Sequence, residues 1–404
     1  MRISRPSRTN AVLIPLLTGL LIFQMVFPPT LQACLWDTET IADERQRIPG
    51  TLELIVGKFP RHSKAFYQWR LDDRLRKLES NPENDALLDD IAVSYEKLGR
   101  YEEAIETARR QLMRDPKRYE SLANLGTFLI HAGRYEEGAE QIQAAIDVNP
   151  DAHFGREKIQ LALVQFLIEE EMVGEGKAPL IEQLPMESHR ISPETNPHSG
   201  ISRFASFLAK QFTDGERKYL KRPEVDEAIR GVTGMMRFSR YDSPVLLDIL
   251  GQLLEIDEAN RMAARCYLMA AHKLEVDHPE KADAYRALAR TAMKKQHIDR
   301  SSMKTAPFAP LAKRLEKEIA EGESWFNELV ANEQKWIEAG DDVEARFEET
   351  YRYEPELAGL VTTPKLGSYF PTNRPFLLPL AIVTALLAIG SVLFLYRRVA
   401  NRAA

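Results

Sequence analysis

The chain has 404 residues, with 54 Lys+Arg against 60 Asp+Glu, 44% hydrophobic residues and 28% charged ones. That balance excludes wholesale disorder and a polytopic membrane protein, and the net charge of −6 lacks the basic excess of a nucleic-acid-binding surface. Two cysteines cannot build a disulfide framework or a Cys-rich metal or cluster site, and at this length two folded units are expected.

The N-terminus carries Arg2, Arg5 and Arg8 and no acidic residue through Ala33, followed by an apolar run from Ala11 to Phe27. A basic n-region, an apolar h-region and a small residue at the end read as a secretory signal over 1–33. Leu31-Gln32-Ala33-Cys34 is similar to a bacterial lipobox, which would make Cys34 a lipidation site; plain cleavage after Ala33 and an uncleaved anchor are the alternatives.

A repeat follows. Pro82, Pro116 and Pro150 are spaced by 34 and 34 residues. The offsets Leu88, Ile91, Ala92, Tyr95, Gly99, Tyr101 and Ala104 recur as Leu122, Leu125, Gly126, Leu129, Gly133, Tyr135 and Gly138. EKLGRYEEAIE and IHAGRYEEGAE match by eye. Small residues at Ala92/Gly126 and Ala104/Gly138 let two helices approach closely, Gly-Arg-Tyr makes the turn, and the proline ends each unit. This pattern resembles the tetratricopeptide repeat (TPR) family, with full repeats at 85–118 and 119–152. The resemblance implies an all-α, TPR-like solenoid of antiparallel helix pairs over 35–171. A degenerate first unit at 51–84, with Ser63 as an N-cap, and an amphipathic helix at 153–171 would close its ends.

Prolines 179, 185, 193 and 197 mark 172–200 as a connection. A second helical domain is expected over 201–352, with helices at 201–213 and 223–238 and a TPR-like pair at 244–275. That pair repeats the offsets through Leu247, Leu250, Gly251, Leu254, Ala263, Tyr267 and Ala270 but lacks the turn glycine; Cys266 falls on its apolar face. Residues 308–338 read as one long helix whose Leu315, Ile319, Gly322, Phe326, Leu329, Glu333 and Trp336 follow 3/4 spacing. Either a hairpin with 341–352 or a coiled-coil seam would use that stripe. A Pro-rich tether, 353–374, leads to the uncharged stretch from Phe376 to Tyr396. Its 21 residues suit one C-terminal transmembrane helix across ~30 Å of hydrocarbon. Arg397, Arg398 and Arg402 in the tail, 397–404, place the C-terminus in the cytoplasm and the bulk of the chain outside it, in a cell membrane or periplasmic setting. Setting aside the three arginines at each end leaves −12 on residues 34–374, which anionic headgroups would repel.

No phosphate-binding Gly-rich loop, GxSxG, HExxH or CxxC occurs, and the eight histidines include no pair at metal-ligating helical spacing. No enzyme activity, cofactor, metal or nucleic-acid partner is expected. The TPR resemblance implies instead a groove lined by the first helix of each repeat, with Asp89, Val93, Glu96, Lys97, Glu120, Asn124, Thr127 and His131 facing a protein or peptide. Family members that clamp a C-terminal carboxylate use a Lys and an Asn where this chain has Asp89 and Val93, and only Asn124 and Lys158 fit later clamp positions. A carboxylate clamp is therefore not expected. A membrane-anchored interaction scaffold is the leading expectation, with an assembly or maturation factor for an envelope complex, or an enzyme with an unrecognised site in 201–352, as alternatives.

Overall fold

The 34-residue period is built as consecutive antiparallel helices. A computed structural model describes residues 48–150, 155–174, 176–186, 202–213, 215, 217–295 and 308–358. The signal-like segment, Cys34, residues 187–201, most of the tether, the apolar stretch 376–396 and the basic tail lie outside the described residues. Among the described residues there are fourteen α-helices and no strand. In chain order these are α1 (Thr51–Val56), α2 (Lys64–Ser80), α3 (Asp85–Lys97), α4 (Tyr101–Arg114), α5 (Tyr119–His131), α6 (Tyr135–Val148), α7 (Arg156–Glu169), α8 (Arg203–Gln211), α9 (Arg222–Phe238), α10 (Pro244–Ile256), α11 (Asn260–Leu274), α12 (Pro279–Lys295), α13 (Phe308–Ala339) and α14 (Val343–Thr350). None of these is long and apolar enough to cross a membrane.

Helices α3 to α6 are the two full repeats, and each packs on its neighbour in sequence. The small positions do what the spacing requires. A Cβ on Gly126 would lie 2.7 Å from the Ile142 side chain and 3.0 Å from the Gly138 carbonyl, and one on Gly138 would lie 2.9 Å from the Gly126 carbonyl. Gly126→Leu is therefore expected to force α5 and α6 apart and cost about 3 kcal/mol. Denaturant titration reads this directly, and an unchanged midpoint would contradict the close approach.

The turns carry a less visible regularity. Gly99 and Gly133 both sit at φ 81°, and the following N–H groups of Arg100 and Arg134 return to the carbonyls of Tyr95 and Leu129 at 2.8 Å. The α10–α11 turn has the same bonds without glycine: Glu258 stands at φ 63° and the Ala259 N–H reaches the Leu254 carbonyl at 2.8 Å. Glu171, at φ 54°, ends α7 likewise. A left-handed residue with a Cβ is strained, so Glu258→Gly should raise stability by about 0.5–1 kcal/mol. A lowered melting temperature would show that the turn is held some other way.

Residues 51–84 do not form a helix pair. Helix α1 has only six residues, is bounded by Gly50 and Gly57 at φ 75° and 76°, and is buried throughout. It lodges among α9, α11 and α13 rather than against α2. Helix α2 does begin at Ser63, whose Oγ accepts the Phe66 N–H at 3.2 Å, and it packs on α3 and on α13. Nor does α7 end the stack, since it lies between α6 and α9 with α8 also against it. One apolar cluster consequently runs from Leu52 through α7–α13 to Leu357, with smaller clusters inside the repeats.

The stripe on α13 is satisfied within the chain. Leu315, Ile319, Gly322, Leu329 and Glu333 are buried, and α13 packs against α1, α2, α11 and α14. Glu333 accepts the Ser63 N–H at 2.9 Å and meets His62 Nδ1 at 2.7 Å, so an apparently misplaced seam glutamate anchors the start of α2. The hairpin with α14 is present, and Tyr351 beyond it sets its ring 5.5 Å from that of Trp325.

The buried second half is also polar in places. Asp248 on α10 accepts hydrogen bonds from Gln252 Nε2, the Tyr285 hydroxyl and the Met186 N–H, each at 2.8 Å. Burial pushes its carboxyl up to about 6 despite those donors. The folded state thus holds this proton more tightly than the unfolded chain. The site's contribution to stability is complete below about pH 4 and is lost as the pH rises to about 6, a change of roughly 3 kcal/mol. The difference in unfolding free energy between wild type and Asp248→Asn should change across that window and be constant above it. A pH-independent difference would refute the assignment.

Candidate functional site

The helices that open the two repeats, α3 and α5, position the residues expected to line a groove, and the structure divides those residues between two ends. At one end Asp89 is gripped by Arg118, whose Nη1 and Nη2 lie 2.8 and 2.5 Å from Oδ1 and Oδ2, while Gln111 Nε2 donates to Oδ1 at 2.9 Å. Asp89 therefore ties α3 to the start of α5 across the repeat boundary, and its charge is not presented free to a ligand. Exposed Glu120 stands 3.8 Å from the same Arg118.

At the other end Glu96, Lys97 and His131 come together. His131 Nδ1 lies 2.9 Å from Glu96 Oε1, and Lys97 Nζ lies 3.2 Å from Glu96 Oε2. Burial alone would push the Glu96 carboxyl up, but the hydrogen bond from His131 and the Lys97 charge overcome it and hold the group below its ordinary value. Val93 and Asn124 are half-buried between the two ends, Val93 packing on the Ala92 cluster. Thr127 Oγ1 donates to the Ala123 carbonyl at 3.0 Å and accepts from Gln160 Nε2 of α7 at 3.1 Å.

What closes this second end comes from far along the chain. Lys97 Nζ donates to the Phe238 carbonyl at 2.7 Å, and His131 Nε2 lies 3.0 Å from Ser239 Oγ. The C-terminal end of α9 thus meets the polar corner that the repeats would otherwise offer to a partner. Sequence reasoning missed Phe238 and Ser239 because no local pattern joins them to residues more than 100 positions away. Phe238 carries one usable signal: an aromatic side chain 64% exposed at the end of an amphipathic helix.

Cys266 is fully buried, and burial raises its thiol well above the ordinary value. Among the described residues no three His, Cys, Asp or Glu side chains are placed to hold a metal ion.

A stack of paired α-helices with a 34-residue period is a helical-repeat protein architecture. Comparison with known proteins bears on its central part: residues 96–156 match the tetratricopeptide repeat family. The small glutamine-rich tetratricopeptide repeat-containing protein 2 of Mycosarcoma maydis is 29% identical to this chain over 75 residues, which is 19% of this chain. The match spans 21% of that relative's own length, about a fifth.

Proposed function

We propose that the chain is a membrane-anchored scaffold that binds a protein partner outside the cytoplasmic membrane. The observation that carries the scaffold reading is the register of α3–α6, two helix pairs on one 34-residue period within a segment matching tetratricopeptide repeats. Such stacks present extended concave helix faces that bind other chains. The exposed Phe238 at the end of α9, which closes the Glu96–Lys97–His131 corner, is the part of the stack from which a partner would be recognised. Anchoring and export rest on the sequence alone, on the uncharged stretch 376–396, the arginines beyond it and the signal-like N-terminus.

Two experiments test the proposal. Reporter fusions at residue 404 and near residue 300 should be active on opposite sides of the membrane, and cytoplasmic activity at 300 would refute export. Proximity labelling from a fusion to the full chain in living cells should mark a discrete protein set that Gly126→Leu loses. Labelling no different from that of the unfused labelling enzyme would refute the scaffold.

A further inference from the structure

Beside the first full repeat, between α2 and α4 and over α3, lies a cleft of about 580 Å³. Leu75 and Leu78 of α2, Leu88 and Ile91 of α3, and Ile105 and Met113 of α4 line it. Leu75 is 39% and Met113 78% exposed, so two large apolar side chains left in water meet at one place. Repeat packing does not ask for them there. One period after Met113 stands Asp147, and two periods after Leu75 stands Gln143. Both line a cleft on α6 whose other residues are Ala139, Glu140, Ala144 and Gln165.

The charges on α4 are sorted along its length. Glu102, Glu103 and Glu106 stand in its first half and Arg109, Arg110 and Arg114 in its second. The helix dipole favours that order, and the order makes the helix complementary to a reversed copy of itself. Most of these groups have partners within the chain: Glu102 lies 3.9 Å from Arg134, Glu103 is held by Arg100, Arg109 lies 3.4 Å from Glu137, and Arg114 pairs with Asp85. Glu106 and Arg110 differ. Both are exposed and line the cleft, and neither has an ion pair among the described residues. Arg110 donates to the Pro82 carbonyl at 3.1 Å, which leaves the other N–H groups of its guanidinium to solvent. The two residues are one i, i+4 step apart and so share a face of α4, centred at the level of Ala108.

We propose that a second copy of this chain occupies the cleft, with α4 of each copy running antiparallel between α2 and α4 of the other, about a two-fold axis at the level of Ala108. The operation sets Glu106 against the partner's Arg110 and Arg110 against the partner's Glu106, the reciprocal pairing that an isologous interface requires. The aliphatic stems of those side chains lie over Leu75 while their charged ends meet. Each α4 fills one cleft and walls the other, so a single contact covers Leu75 and Met113 in both copies. An unrelated helix would have to carry the same two charges at the same spacing, whereas a second copy carries them by construction. The inference goes beyond the scaffold reading and does not depend on which partner the stack binds.

An interface of this size and polarity associates weakly, so the test is sedimentation equilibrium of the full chain at ~100 µM in a density-matched mild detergent. Wild type should be dimeric. Glu106→Arg and Arg110→Glu each bring like charges together and should weaken association about ten-fold or more, with unchanged circular dichroism. An equimolar mixture of the two variants should regain wild-type affinity, because each supplies the charge that the other has lost. Met113→Ser should weaken association several-fold through lost apolar burial. A monomeric wild type, a dimer indifferent to both charge reversals or to Met113→Ser, or a mixture no tighter than its components would each overturn the proposal. A dimer held through the apolar stretch 376–396 would show that indifference. None of these outcomes touches the scaffold reading, which the labelling experiment decides separately.

Discussion

Replacing Glu318 by alanine should destabilise the protein by about 3–5 kcal/mol, the cost of leaving a buried charge without its partner. Arg265 is fully buried on α11, and its Nε and Nη2 donate to Glu318 Oε2 and Oε1 at 2.8 and 3.1 Å. Glu318 also accepts from Arg314 Nε at 3.1 Å, but Arg314 is partly exposed and water can replace its partner. No water reaches Arg265. The damage should therefore exceed that of removing any surface ion pair here, such as Arg100–Glu103. Exposed pairs contribute roughly 0–1 kcal/mol. The double variant Arg265→Met, Glu318→Leu removes both charges and should return most of the loss, because an apolar pair of similar volume incurs no desolvation penalty. Urea titration of the three variants decides the matter. A Glu318→Ala midpoint close to wild type would mean that α13 is not seated on α11.

The repeats were legible because their physics is local. A 34-residue period, small residues at the helix contacts and Gly-Arg-Tyr turns are all set by neighbours within one unit, and α3–α6 appear where that pattern puts them. The α10–α11 pair was legible from its apolar offsets even without a turn glycine. The offsets report packing, and Glu258 can be held left-handed by packing on both sides. Ser63 was readable as a cap for a similar reason, since a cap bonds within three residues of itself. Helix α12 carried no such signal. Its buried face of Ala282, Tyr285, Ala289 and Ala292 is too small and mixed to declare a partner, and in the fold it packs chiefly on α11.

The candidate site was legible in its residue types and not in their use. Asp89 was expected to face a ligand, but Arg118 lies 29 positions away, at the N-cap of the helix that opens the next repeat, and holds it. Glu96 and His131 meet because they occupy matching ends of α3 and α5, which the repeat itself predicts. Their contact with Phe238 and Ser239 depends on how the second half folds back, and nothing in the repeat encodes that.

One of the contacts that bring the second half back to the first rests on one small residue. Gly322 lies mid-way along α13, and a Cβ there would fall 2.3 Å from the Val56 carbonyl oxygen and 3.3 Å from its carbon. Both are backbone atoms, so no rotamer change can relieve the clash. Helix α1 cannot retreat either: Leu52, Leu54, Ile55 and Val56 are buried, and Lys58 beyond it is tied to Glu321 at 2.5 Å and to the Glu356 carbonyl at 2.6 Å. Gly322→Ala should thus separate α13 from α1 and cost about 3 kcal/mol or more, and Gly322→Val more still. The sign is what makes the test sharp. In an uncrowded helix interior the same exchange gains close to 1 kcal/mol. Gly234→Ala on α9, whose Cβ would meet only the flexible Arg156 side chain at 3.3 Å, should be neutral or stabilising. Opposite shifts in melting temperature for these two alanines are expected. A rise for Gly322→Ala would show that α13 does not press on α1, and that the long helix binds the two halves by other contacts.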